Sequence, residues 1–172
     1  LAEIAEAANK EGKAKHVTLS TGTKLSPGKG LEDLVEAARL IHERVNMTKT
    51  LNFEPLTDYA LLESLLREGR EAGATTALCN IECFDESMRE DIMPMKGKNS
   101  IDNYKRVWEK CVNTFDHNEV YTMAIAGTGS SSGSSSSTGS STGSSTSSGP
   151  GSKDHRADLR FLPALYSRLG PG

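Results

Sequence analysis

The stretch HVTLSTGT, from His16 to Thr23, constrains the fold most, because it alternates like a strand, ends in a glycine turn and is followed by a long helical pattern. Three more segments repeat the arrangement. Strands are predicted over 16–20, 48–54, 75–84 and 120–126, with helical stretches between them. Strands bridged in this way form βαβ units, whose crossovers are right-handed and whose sheets are parallel. The predicted fold class is therefore α/β. About four parallel strands with intervening helices make a partial (β/α) TIM-type barrel, since four are too few to close one.

Helix signals support the reading. Leu31, Leu34, Val35, Ala38, Ile41 and Val45 make one apolar stripe. A second stripe, Leu61, Leu62, Leu65 and Leu66, opens at Thr57 or Asp58 as cap and stops near Gly73. Asp85 caps a short helix through Arg89, a loop around Pro94 and Gly97 follows, and Ser100 caps the last stripe, Tyr104, Val107, Trp108, Cys111, Val112 and Phe115. At the start, Leu1, Ile4, Ala5 and Ala8 share a helical spacing that Gly12 ends.

Composition divides the 172 residues unevenly. Residues 1–127 carry the folding pattern. Residues 128–152 are Ser, Gly and Thr apart from Pro150, a composition that buries no apolar area and behaves as a disordered linker. Residues 153–172 form a short tail of unassigned role. Because the chain starts at Leu1 inside a helical pattern, it reads as a fragment or an engineered product. No apolar run approaches the roughly 20 residues of a membrane span. A net charge of −3 gives no reason to expect nucleic acid as partner. The cysteines Cys79, Cys83 and Cys111 are too few for a disulfide framework and suit a cytoplasmic protein. The spacing of Cys79 and Cys83 on a strand separates them by roughly 13 Å, too far to share one ion, so all three read as packing residues.

Ligands of parallel α/β sheets bind where strands run out into βα loops. The groups at those exits are Thr21, Gly22 and Thr23; Asn52 and Glu54; Asn80 and Glu82; and Gly127. The first group offers exposed backbone and two hydroxyls, and equally suits an ordinary turn. Strand alternation places Asn80 and Glu82 on one face and Cys79, Ile81 and Cys83 on the other. If the cysteine face meets the helices, the polar pair points into the barrel, where a carboxylate is costly unless it binds something. The alternative is a Glu82 exposed at the rim. Arg89, Lys96 and Lys98 follow that strand and could neutralise a carboxylate or phosphate, or be solvated. The histidines show no paired ligand spacing.

The blocks HVTLSTGT, LNFEPLTD, EAGATTALCNIECFDESMREDIMPMKGK and IDNYKRVWEKCVNTFDHNEVYTMAIAG, in this order, resemble the middle of radical S-adenosylmethionine enzymes, in particular the biotin-synthase-like branch. The resemblance covers residues 1–127. It implies that Thr21, Gly22 and Thr23 stand where the family holds the cofactor's amino group. Glu82 with Asn80 would meet its ribose or methionyl part, Arg89 its carboxylate, and Gly127 its adenine. It also implies a [4Fe–4S] cluster bound by a CxxxCxxC loop, which this sequence lacks and which would lie upstream of Leu1. The implied chemistry is reductive cleavage of S-adenosylmethionine to a 5′-deoxyadenosyl radical that attacks a small-molecule substrate, with this chain inactive alone. Two other readings stand beside it. One is a cluster-free barrel lyase or aldolase using Lys96 or Lys98, the other a non-catalytic engineered scaffold displaying a tethered peptide. Open strand edges at both ends of a partial barrel predict self-association.

Overall fold

Four parallel strands lie in the order β1-β2-β3-β4 in the computed structural model, which describes residues 1–22, 24–116 and 118–125. Their order in the sheet is their order in the chain, as consecutive βαβ units require. The elements are α1 (Ala2–Lys10), β1 (His16–Ser20), α2 (Pro27–His42), β2 (Thr48–Asn52), α3 (Tyr59–Glu71), β3 (Ala74–Leu78), α4 (Glu86–Ile92), α5 (Pro94–Gly97), α6 (Ile101–Thr114) and β4 (Val120–Tyr121). Leu1–Ile125 form one compact unit. Thr23 and Gly127, the linker at 128–152 and the tail at 153–172 lie outside the described residues. No helix among the described residues is long and apolar enough to cross a membrane.

The sheet has two unlike faces. Leu19, Leu51, Phe53, Ala77, Cys79 and Ile81 are buried against the stripes of α2, α3 and α6. The stripes contribute Leu31, Leu34, Val35, Ala38 and Ile41 from α2, then Leu62, Leu65 and Leu66 from α3, and Tyr104, Val107, Trp108 and Cys111 from α6. Each large aliphatic side chain so buried contributes about 1.5–3 kcal/mol, which offsets the ordering entropy of the short crossovers. The opposite face is hydroxylated. Register places Thr18 beside Thr50 and Thr50 beside Thr76, and these line an open groove of about 540 Å³ with His16, Glu119 and Thr122. Both His16 ring nitrogens are engaged there, at 2.8 Å from Thr48 Oγ1 and 2.9 Å from Thr50 Oγ1.

Local signals act as their chemistry requires. Asp58, Asp85 and Ser100 accept the backbone N–H groups of Leu61, Met88 and Asn103, each capping a helix. Gly73 ends α3 at φ +79°, and a Cβ there would meet His42 and Lys49.

Four expectations are corrected. The segment 75–84 is not one strand: β3 ends at Leu78, because Cys79 O accepts the Trp108 indole N–H at 3.0 Å and Glu82 turns to φ 63°. Strand β2 ends at Asn52 rather than at residue 54. The last strand is ladder-paired only over Val120–Tyr121, with one further bridge between Glu82 and Ala124. The loop at Pro94 and Gly97 is the one-turn helix α5, with Pro94 in the first position where its missing N–H costs nothing. In α1, Ala5 is buried while Leu1 and Ile4 face solvent.

Candidate functional site

Three chain segments meet at the C-terminal edge of the sheet because parallel strands all point their exits the same way. Beyond β1, Gly22 takes φ +66°, and Thr21 donates its hydroxyl to Gly22 O. Thr21 and Gly22 border a narrow crevice with Lys24, Phe53 and Glu54. Glu54, two residues past β2, is therefore the neighbour of the β1 turn.

Past β3, backbone pairing to β4 continues in irregular form. Asn80 Oδ1 accepts Met123 N–H at 3.1 Å, Glu82 N–H donates to Met123 O, and Ile125 N–H returns to Glu82 O. Asn80 thus splices the two strands where ladder geometry fails. Cys79, Ile81 and Cys83 are buried, whereas the Glu82 side chain is 21% exposed. The alternation read from the sequence survives only in part, because Asn80 is buried as well and Glu82 alone of the polar pair is partly exposed. Glu82 occupies the left-handed region, which costs a non-glycine residue on the order of 1 kcal/mol or more and commonly marks functional turns.

Lys96 completes the arrangement. Its Nζ is 2.8 Å from Glu82 Oε1 and 3.8 Å from Glu54 Oε1, with the lysine and Glu54 side chains each 17% exposed. Helix α5 carries it there by packing on α4, and Gly97 allows the packing: a Cβ at that position would strike the Glu90 backbone. The sequence reading put Lys96 in the loop around Pro94 and Gly97. The Pro94-to-Gly97 turn brings it back over the exits of β2 and β3, and the proline followed by a glycine three residues on is the only local sign of that return.

Arg89 is not at this rim. It is 0% exposed, donating to Cys83 O at 2.5 Å and Asn99 O at 2.7 Å, with its guanidinium 5.4 Å from the Tyr104 ring centroid. The Arg89 Nε and the Tyr104 hydroxyl are buried without a hydrogen-bond partner among the described residues. Burial pushes the Tyr104 hydroxyl pKa up, and the nearby Cys79, Glu54 and Glu82 add to the shift while Arg89 opposes it. The structure thus joins Thr21 and Gly22 to Glu54, Glu54 to Lys96, and Lys96 to Glu82. It assigns Asn80 and Arg89 to holding the backbone beneath them.

The chemistry open to the cluster follows from its charge. Glu54, Glu82 and Lys96 together carry one negative charge in a mostly buried setting, with Lys24 of the same crevice paired to Asp33, which favours a cationic ligand group, while the carboxylates also accept from a diol. A thiolate-bound iron–sulfur cluster does not fit the described cysteines. Burial raises the Cys79 thiol pKa well above its usual value and that of Cys111 to about 12, opposite to what a thiolate ligand needs. Among the described residues no group of three or more His, Cys, Asp or Glu side chains is arranged to hold a metal ion. No protein-family model, no curated protein and no solved structure matches this chain.

Proposed function

We propose that this chain is the S-adenosylmethionine-binding part of a radical S-adenosylmethionine enzyme, and that its sheet is an arc of a TIM-type barrel. The observation that carries the reading is the Glu54, Lys96 and Glu82 cluster lying at the strand exits beside the Gly22 turn. The ligand presents a sulfonium, an ammonium, a carboxylate and a ribose diol; the negative balance of the cluster suits the two cations, and its carboxylate oxygens can accept from the diol. Glu82 accepts from the diol or the ammonium, Glu54 balances the sulfonium, and the Thr21 and Gly22 turn gives close backbone approach. In a radical S-adenosylmethionine enzyme the bound cofactor supplies a 5′-deoxyadenosyl radical. The described residues do not hold the cluster such chemistry needs, so the function of this chain is to bind and orient. The hydroxyl-lined groove beneath the rim would take a polar small-molecule substrate, and the open edges of β1 and β4 would pair with further strands of a partner, in the cytoplasm.

Titration calorimetry of the purified chain with S-adenosylmethionine tests the reading. Saturable binding is expected, weaker by about tenfold for neutral S-adenosylhomocysteine, since loss of one charge contact is worth about 1.4 kcal/mol. Glu82→Gln should weaken it further. Absence of saturation at about 1 mM, or indifference to Glu82→Gln, overturns it.

The place of Lys96 favours a second reading, a lyase forming a Schiff base there. Its nitrogen would first have to leave Glu82. Borohydride trapping of a carbonyl substrate on Lys96 would decide for it.

A further inference from the structure

A positively charged group entering between Glu82 and Glu54 finds that position taken. Lys96 Nζ is at contact distance from Glu82 Oε1 and reaches Glu54 Oε1 at 3.8 Å. A second cation of the size of an ammonium or sulfonium must share that Glu82 oxygen with the lysine or displace it. The site is nonetheless not closed chemically. The Tyr104 hydroxyl is buried without a hydrogen-bond partner among the described residues. An unmet buried hydroxyl marks a place for an ordered water or a ligand atom.

The element carrying Lys96 can release it. Helix α5 is a single turn with no side-chain N-cap, so little helix is lost if it shifts. The Lys96 side chain itself has four rotatable bonds and gains entropy on release. A charge pair that is partly solvated stabilises only weakly, and a ligand making several contacts exceeds it.

We infer that Lys96 is a displaceable plug: its ammonium stands in for the cationic group of the ligand between Glu82 and Glu54 and swings out when that ligand binds. The inference rests on the reading of the strand exits as a site for a sulfonium cofactor. The plug offsets one of the two carboxylate charges when no ligand is present. It also sets specificity, because a ligand must offer more than one charge contact to replace it. Weak monovalent amines therefore fail to compete.

The test is titration of the wild-type chain, Lys96→Gln and Lys96→Arg with decarboxylated S-adenosylmethionine, whose sulfonium and amine lack any carboxylate that Lys96 could attract. Removing an internal competitor raises apparent affinity by the inverse of the unplugged fraction. Lys96→Gln should bind about tenfold tighter or more, and Lys96→Arg within about threefold of wild type. Equal or weaker binding by Lys96→Gln overturns the plug. Because that variant leaves two carboxylates facing each other and could fail to fold, a second measurement uses wild type alone. The ¹⁵N resonance of the Lys96 ammonium should shift on adding ligand, and an unmoved resonance at saturation overturns the plug. Failure of S-adenosylmethionine and its decarboxylated analogue to bind any of the three chains overturns the cofactor reading, and the plug with it. Binding to wild type with no gain in Lys96→Gln overturns the plug alone.

Discussion

Lys96 Nζ stands 2.8 Å from Glu82 Oε1 although helix α4 and the start of α5 intervene between them. The contact ties the β3 exit to the helical return that follows it. It thereby fixes the orientation of a residue whose backbone is already in an unfavourable region.

That tie has a measurable strength. Both side chains are mostly but not fully buried, 17% and 21% exposed, so the pair lies between a surface ion pair and an interior one. A double-mutant cycle with Glu82→Gln and Lys96→Met, read by urea denaturation, should give a coupling of about 1 kcal/mol. A coupling near zero would mean that the contact forms without contributing to the position of α5.

The cysteines give a second prediction. Burial raises Cys111 to about 12 and Cys79 well above its usual value. Neither thiolate is populated near neutral pH in the folded chain, and neither sulfur is reachable. Alkylation by iodoacetamide at pH 8 should therefore follow global unfolding and not precede it. Modification of Cys79 within minutes in the native state, followed by mass spectrometry, would contradict the packing described around β3 and α6.

The order of strands and helices was legible in the sequence because strand and helix periodicities differ and because Asp85, Ser100 and Gly73 punctuate it, whereas the choice of Asp58 over Thr57 as cap came from the bond to Leu61 N–H. The buried set Cys79, Ile81 and Cys83 was legible for the same reason, although Asn80 among them is buried as well and strand hydrogen bonding breaks there. What could not be read was the cause of the break. Trp108 lies far along the chain from Cys79, and nothing local to either shows that the indole will take that carbonyl. Lys96 was misplaced for a related reason: its position depends on whether a Gly97 contact with Glu90 lets α5 fold back, a tertiary fact. Arg89 shows the converse. Its residue type suggested a ligand partner, yet its geometry is settled by two backbone carbonyls that the turns around it leave unpaired.

Lys49 is the buried charge with the clearest pH signature. Its side chain is 0% exposed, Nζ donates to Met47 O at 2.9 Å, and burial lowers its pKa from the usual 10.5. His42 lies near it across Gly73. Below the lowered folded value both states carry the proton, and the full cost of the buried ammonium is present. Between that value and 10.5 the unfolded chain holds a proton the folded one has lost, so stability rises with pH. Above 10.5 the cost is gone. Lys49→Met should raise stability by about 1 kcal/mol at pH 7 and flatten the rise toward high pH, measured by urea denaturation at several pH values. A loss of stability at pH 7 would show that the bond to Met47 O outweighs desolvation.

Arg89 separates a supporting role from a ligand-binding one. Its guanidinium spans from Cys83 O to Asn99 O and packs over Tyr104, so it joins the β3 exit to the turn before α6. Arg89→Met leaves two carbonyls without their donor and removes the stacking, a loss of about 3 kcal/mol in denaturant unfolding. Arg89→Lys should recover less than half of that, because a single ammonium cannot reach both carbonyls in the planar fork geometry. If Arg89 acts only from beneath the rim, folded Arg89→Lys binds S-adenosylmethionine within about threefold of wild type, a difference below 1 kcal/mol. A loss beyond about tenfold in a fully folded sample would mean that the guanidinium leaves its carbonyls to meet the ligand carboxylate, and that the rim rearranges more deeply on binding than release of Lys96 alone requires.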